Sequence, residues 1–220
     1  MGAINIPMML SKLFYIVDNP WNVSLDRAWK AGLVLADTLI TRNLGDRPIT
    51  LLGFSLGSRV IYSCLLELAK RGAYGIVEKV LIFGSPFVVS ADQLIIARSV
   101  VSGDFINGYS KKDWILGYLF RATSGGLGRV AGLSPLEDKF GIQNFDCTDY
   151  IEGHLTYRKH MPLLLSKLGF SVLSEEFIEI DDEHDPEETE RQRKLISEFD
   201  EVKKKMEDGI RNGEKKKHKN

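Results

Sequence analysis

The run Ile49-Thr50-Leu51-Leu52-Gly53-Phe54-Ser55-Leu56-Gly57 constrains this chain more than any other stretch. Apolar, strand-forming residues stop at a serine set between two glycines. A helical pattern starts at once, with Val60, Cys64, Leu65 and Leu68 on one face. Strand, sharp turn and helix in succession predict an α/β fold built on a parallel sheet. The turn strains the backbone at the serine and brings the residues two before and two after it together. Side chains at Gly53 and Gly57 are therefore expected to crowd it, and the Ser55 hydroxyl is expected to stand clear of the sheet. The competing reading is an ordinary strand-to-helix turn with Ser55 near the N-cap.

The other apolar runs agree with α/β. Val77–Phe83 and Phe105–Tyr109 are nearly continuous in apolar residues, as strands covered on both faces of a parallel sheet are. Phe140–Cys147 reads as a fourth strand. Ser24 is expected to cap a helix over Leu25–Arg42, with Ala28, Leu35 and Leu39 facing inward. The helix after Ser55 is expected to run to about Arg71 and stop at Gly72 and Gly75. Ser90–Val101 reads as helical or mixed, Trp114–Arg121 as a short apolar helix, and His154–Leu168 as a helix stopped by Gly169. The glycine-rich stretch Gly125–Pro135 lacks the spacing of a phosphate loop and reads as a surface loop.

The 220 residues suit one domain and a tail, and a 44% hydrophobic fraction is enough for a substantial core. A net charge of -1 argues against an electrostatic nucleic-acid binder. Cys64 and Cys147 are too few for a disulfide framework and lack metal-type spacing. Reduced thiols, no metal and no cofactor are expected, in a reducing compartment. Residues 1–23 read as an apolar segment and loop, residues 24–172 as the folded domain, and residues 173–220 as a charged tail. The apolar N-terminal segment is too short to span a bilayer and lacks the flanks of a secretory signal. Ile6 stands where a myristoylation site needs Ser or Thr. In the tail, an acidic block from Asp181 to Glu190 precedes a charged, partly helical or disordered stretch and a basic end at Lys215–Lys219.

A serine hydroxyl is a poor nucleophile unless a base takes its proton, and the base needs a carboxylate to orient it. After a nucleophile turn of this kind the chain order is serine, acid, histidine. His154 follows Gly153 in a loop before a helix and is the expected base. His160 lies inside that helix and points away from it, and His184 and His218 lie in the charged tail. Asp113 follows the Phe105–Tyr109 strand by a short loop and is the expected acid; its rival role is the N-cap of the Trp114 helix. Asp92 is the second choice for the acid, and Asp104 lies at the wrong end of its strand. The backbone N–H of Leu56 is the expected oxyanion donor. A second donor normally comes from a loop after an earlier strand, and fewer than about sixty residues precede Ser55, with no convincing strand among them.

Several segments together resemble one family. They are Ile49–Gly57, Val100–Ser110, Val130–Leu133 and Gly153–Tyr157, with Asp18–Trp21 and Lys30–Asp37 upstream. The family is that of transmembrane and coiled-coil domain-containing protein 4, also called domain of unknown function 726. The resemblance covers roughly residues 5 to 172. It implies a partial α/β-hydrolase fold, with a mostly parallel sheet and flanking helices, and a Ser–Asp–His triad falling on Ser55, Asp113 and His154. It also implies esterase or lipase-like activity on an ester or lipid, membrane association of complete members, and a protein partner in membrane trafficking. The chain itself is expected on the cytoplasmic side or in the cytosol. Complete members carry a glycine-rich membrane segment and the first strands of the hydrolase domain, so this sequence is expected to be the C-terminal part of a longer protein. A non-catalytic, hydrolase-like binding module is the alternative expectation.

Overall fold

The computed structural model describes residues 21–41, 45, 47–88, 90–124, 128–137, 141–177 and 190. Calls made above on residues 1–20 fall outside these residues, as do those on the charged tail apart from residues 173–177 and 190. The chain divides into two units, Met1–Phe177 and Ile178–Asn220, and the architecture below belongs to the first.

The elements in order are α1 (Asn22–Ile40), β1 (Ile49–Phe54), α2 (Leu56–Lys70), β2 (Val77–Phe83), α3 (Ala91–Ser99), β3 (Phe105–Tyr109), α4 (Trp114–Ser124), β4 (Ile142–Asp146) and α5 (Thr156–Lys167). The four strands form one sheet in the order β1-β2-β3-β4, and every pairing is parallel. Helices flank both faces, which makes the fold α/β. On one face Val80, Ile82, Phe105 and Ile142 pack with Ala36 and Leu39 of α1, Ile61, Leu65 and Leu68 of α2, and Leu94 and Ala97 of α3. On the other, Leu81, Phe83 and Ile106 pack with Tyr157 and Leu164 of α5. This two-sided burial explains why β2 and β3 are apolar at consecutive positions.

Helix α1 starts at Asn22, upstream of the expected cap. Trp21 already has helical dihedrals and makes no side-chain cap bond, and it packs with residues of α4, an anchor that periodicity does not reveal. Ser90 does cap its helix, accepting from the Gln93 N–H at 3.3 Å.

The stretch around residue 130 is not the surface loop the glycines suggested. Val130 forms an antiparallel bridge with Val88, and Val130 and Ala131 are buried. Gly132 donates to Ser85 O at 3.0 Å and accepts from Ser110 N at 3.1 Å, tying the ends of β2 and β3 together. A Cβ on Gly132 would lie 2.4 Å from Ser85 N and 2.6 Å from Leu116 Cδ2, so the glycine permits this close approach.

Both cysteines are buried and unpaired. Burial pushes each thiol up to about 12. At pH 8 only about one in ten thousand is then thiolate. Iodoacetamide is expected to leave both unmodified in the native protein and to alkylate both after denaturation, as intact-mass measurement would show.

Candidate active site

Ser55 connects β1 to α2 with φ +52° and ψ −121°, and among the described residues it is the one non-glycine with positive φ. Such a conformation costs on the order of 1–3 kcal/mol and persists only where the surroundings impose it. Here they do. The Ser55 N–H donates to Phe83 O at 2.9 Å, and Ser55 O accepts from Ser58 N at 3.0 Å and from Ser58 Oγ at 2.5 Å. Ser55 does occupy the N-cap position of α2, as the competing reading has it, but its side chain makes no cap bond there.

The two glycines of the turn are not equivalent. A Cβ on Gly53 would fall 2.8 Å from the Gly57 backbone and 2.6 Å from Ile61 Cδ1, whereas one on Gly57 would meet nothing within 4 Å. The expected crowding is therefore confined to Gly53. Gly53→Ala is expected to destabilise the fold by about 1–3 kcal/mol. Gly57→Ala is expected to be neutral or stabilising by up to about 1 kcal/mol, through helix propensity. Urea unfolding of the two variants checks the asymmetry.

Asp113 begins the excursion between β3 and β4, and His154 lies in the loop between β4 and α5. Both loops leave the C-terminal edge of the sheet, the edge at which Ser55 stands. They are bonded to each other: Ser110 Oγ donates to Ile151 O at 3.3 Å, Lys111 N donates to Thr148 Oγ1 at 3.2 Å, and Cys147 N donates to Tyr109 O at 2.8 Å. These bonds bring together side chains far apart in sequence. His154 Nε2 lies 2.7 Å from Ser55 Oγ, and His154 Nδ1 lies 2.7 Å from Asp113 Oδ2.

Asp113 is 1% exposed, and its two oxygens are divided. Oδ2 faces His154, while Oδ1 accepts the Leu116 N–H at 3.0 Å in the first turn of α4. The two roles that looked like alternatives in the sequence are filled by one carboxylate. Because a carboxylate only accepts, the shared proton belongs on Nδ1, leaving the Nε2 lone pair for the Ser55 hydroxyl. The imidazole rests against Phe54, with ring centroids 4.9 Å apart, and Tyr157 meets it edge-on at 6.3 Å. Sequence reasoning missed Phe54 as a neighbour of His154, although its place beside Ser55 was a usable signal.

The other candidates lie elsewhere. Asp92 is exposed in the first turn of α3, Asp104 pairs with Lys79 and Gln143, and His160 Nδ1 bonds to Thr156 O within α5. Leu56 opens α2, so its N–H lies beyond the helix's own ladder of bonds. Among the described residues no cluster of three or more His, Cys, Asp or Glu could hold a metal ion, and no helix is long and apolar enough to cross a membrane.

The sequence pattern of the family described as "Protein of unknown function (DUF726)" matches residues 1–171. The chain belongs to the DUF726 family. Relatives of this DUF726 chain include the probable lipase MIL1 of Saccharomyces cerevisiae, 58% identical over 99% of the chain and 20% of the relative. An uncharacterized membrane protein of Schizosaccharomyces pombe is 54% identical over 91% of the chain and 26% of the relative. The transmembrane and coiled-coil domain-containing protein STS1 of Oryza sativa subsp. japonica is 38% identical over 81% of the chain and 27% of the relative. The DUF726 chain thus spans about a fifth to a quarter of the length of these relatives. No solved structure gives a significant match.

Proposed function

We propose that the chain carries the catalytic elements of a serine hydrolase acting on carboxylic esters. One observation carries the reading: a serine in a strained turn at the sheet's C-terminal edge, 2.7 Å from a histidine that is itself 2.7 Å from a buried aspartate. In the first half-reaction Ser55 Oγ attacks the ester carbonyl carbon while its proton passes to His154 Nε2. Asp113 holds the ring and stabilises the imidazolium. The Leu56 N–H donates to the developing oxyanion. Collapse breaks the bond to the alcohol oxygen, which leaves with the proton from His154. A water molecule then repeats the sequence on the acyl-enzyme and releases the acid. The chemistry needs no cofactor.

The yeast relative's name supports a lipid ester as substrate, and the names of the fungal and plant relatives support work at a membrane. A trafficking partner and a cytoplasmic-side location belong to this proposal on the family resemblance alone. The test is a fluorophosphonate probe followed by peptide mapping. The adduct is expected on the peptide containing Ser55, and labelling that survives Ser55→Ala would remove the serine from the role of nucleophile.

The second reading is a non-catalytic, hydrolase-like binding module of the same family. Full rescue of a null phenotype by the full-length protein carrying Ser55→Ala would favour it.

A further inference from the structure

We infer that the apolar cluster of Trp21, Trp114, Ile115, Tyr118 and Leu119 is the acyl-binding surface of this site, and that it takes the aliphatic chain of a medium- to long-chain ester. The inference rests on the hydrolase reading, from which it takes the position of the reacting carbonyl.

Position is the first argument. Arg59 Nε donates to Leu25 O and Ser63 Oγ to Trp29 O, and Arg71 pairs with Asp37. The partners rise together along both helices, so α1 and α2 run in the same direction. Trp21, just before α1, therefore lies at the end where Ser55 precedes α2. Helix α4 starts at that edge too, since Trp114 follows Asp113. The Trp114 indole stands beside the base-bearing loop: a Cβ on Gly153, the residue before His154, would lie 3.6 Å from Trp114 Nε1. The cluster is thus continuous with the site through both Asp113–Trp114 and Gly153–His154.

Composition is the second. The cluster is separate from the two cores that pack against the sheet. Leu116, 1% exposed, faces the body of the domain and ties α4 down. The flanking stripe keeps only Ile115 and Leu119 buried, at 8% and 9%, and leaves Trp21, Trp114 and Tyr118 partly open. Leu155, immediately after His154, is 47% exposed. Half-open Trp114 and Tyr118, on a helix whose first turn is fixed by the proposed acid, join Trp21 in giving an alkyl chain apolar contact area.

The test has two arms. In the first, p-nitrophenyl esters from acetate to dodecanoate are compared in kcat/KM. Each buried methylene is worth about a fourfold gain, so the octanoate-to-acetate ratio is expected to reach about 100 or more. Trp21→Ala and Tyr118→Ser are each expected to cut that ratio about tenfold. An active protein whose ratio is flat, or whose ratio both variants leave intact, overturns the inference while the hydrolase reading stands. The second arm does not need turnover. Binding of 12-bromododecanoic acid is read by bromine quenching of tryptophan fluorescence. Quenching is expected in Trp29→Phe, which keeps Trp21 and Trp114, and not in the Trp21→Phe/Trp114→Phe double variant, which keeps Trp29. No quenching in the first, or equal quenching in both, overturns the acyl surface. Absence of both phosphonate labelling and acetate hydrolysis with quenching intact would instead count against the hydrolase reading alone.

Discussion

Ser55→Ala is expected to abolish phosphonate labelling and to lower kcat by about six orders of magnitude, as loss of a triad serine does. The protein should still fold, because the hydroxyl's partner is His154 and not the backbone of α2. Alanine keeps a Cβ at φ +52°, so the strain stays and the melting temperature should hardly move. Ser55→Gly removes both the hydroxyl and the strain. It is expected to be equally inactive yet to melt about 2–4 °C higher, the shift that about 1 kcal/mol gives a chain of this size. Calorimetry beside an esterase assay checks the pair. A Ser55→Gly protein that melts lower than Ser55→Ala would mean that the turn is not under tension.

Asp113→Asn is expected to lower kcat by about four orders of magnitude with little change in stability. The amide can sit two ways. With its oxygen on the Leu116 N–H, its NH2 group donates to His154 Nδ1, and every hydrogen bond is kept. With its oxygen on His154, its NH2 group faces the Leu116 N–H and two donors collide, at a cost of about 1–3 kcal/mol. The first arrangement wins on energy. It moves the histidine proton to Nε2, where the ring can no longer accept from Ser55. Activity near wild type would show that His154 does not need Asp113 for its tautomer, and nitrogen NMR of the imidazole would report which nitrogen is protonated.

Much of this fold was legible because turn chemistry flanks the apolar runs. Val77–Phe83 and Phe105–Tyr109 have the boundaries read from sequence, each closed by glycine, serine or lysine. Ser55, Asp113 and His154 were singled out by chain order and by loops after strands, and all three meet at one edge. What escaped were long-range contacts. The bridge of Val130 to Val88 joins segments that no local period connects, so buried Ala131 and Gly132 looked like surface. The upstream start of α1 depends on Trp21 packing with α4, nearly a hundred residues away. Gly57 was misjudged because motif logic treats the two glycines alike, although only Gly53 points at the opposing backbone.

The strand order has a kinetic corollary. Each strand lies beside its predecessor in sequence, so the sheet can grow outward one crossover at a time with modest loop-closure entropy. The Ser55–His154 contact spans 99 positions and depends on the loop that follows the last strand. The turn at Ser55 can therefore form in a partly assembled sheet that still has no base. In refolding from urea, far-UV ellipticity should recover first and phosphonate reactivity last, so that the probe serves as a clock for completion of the domain.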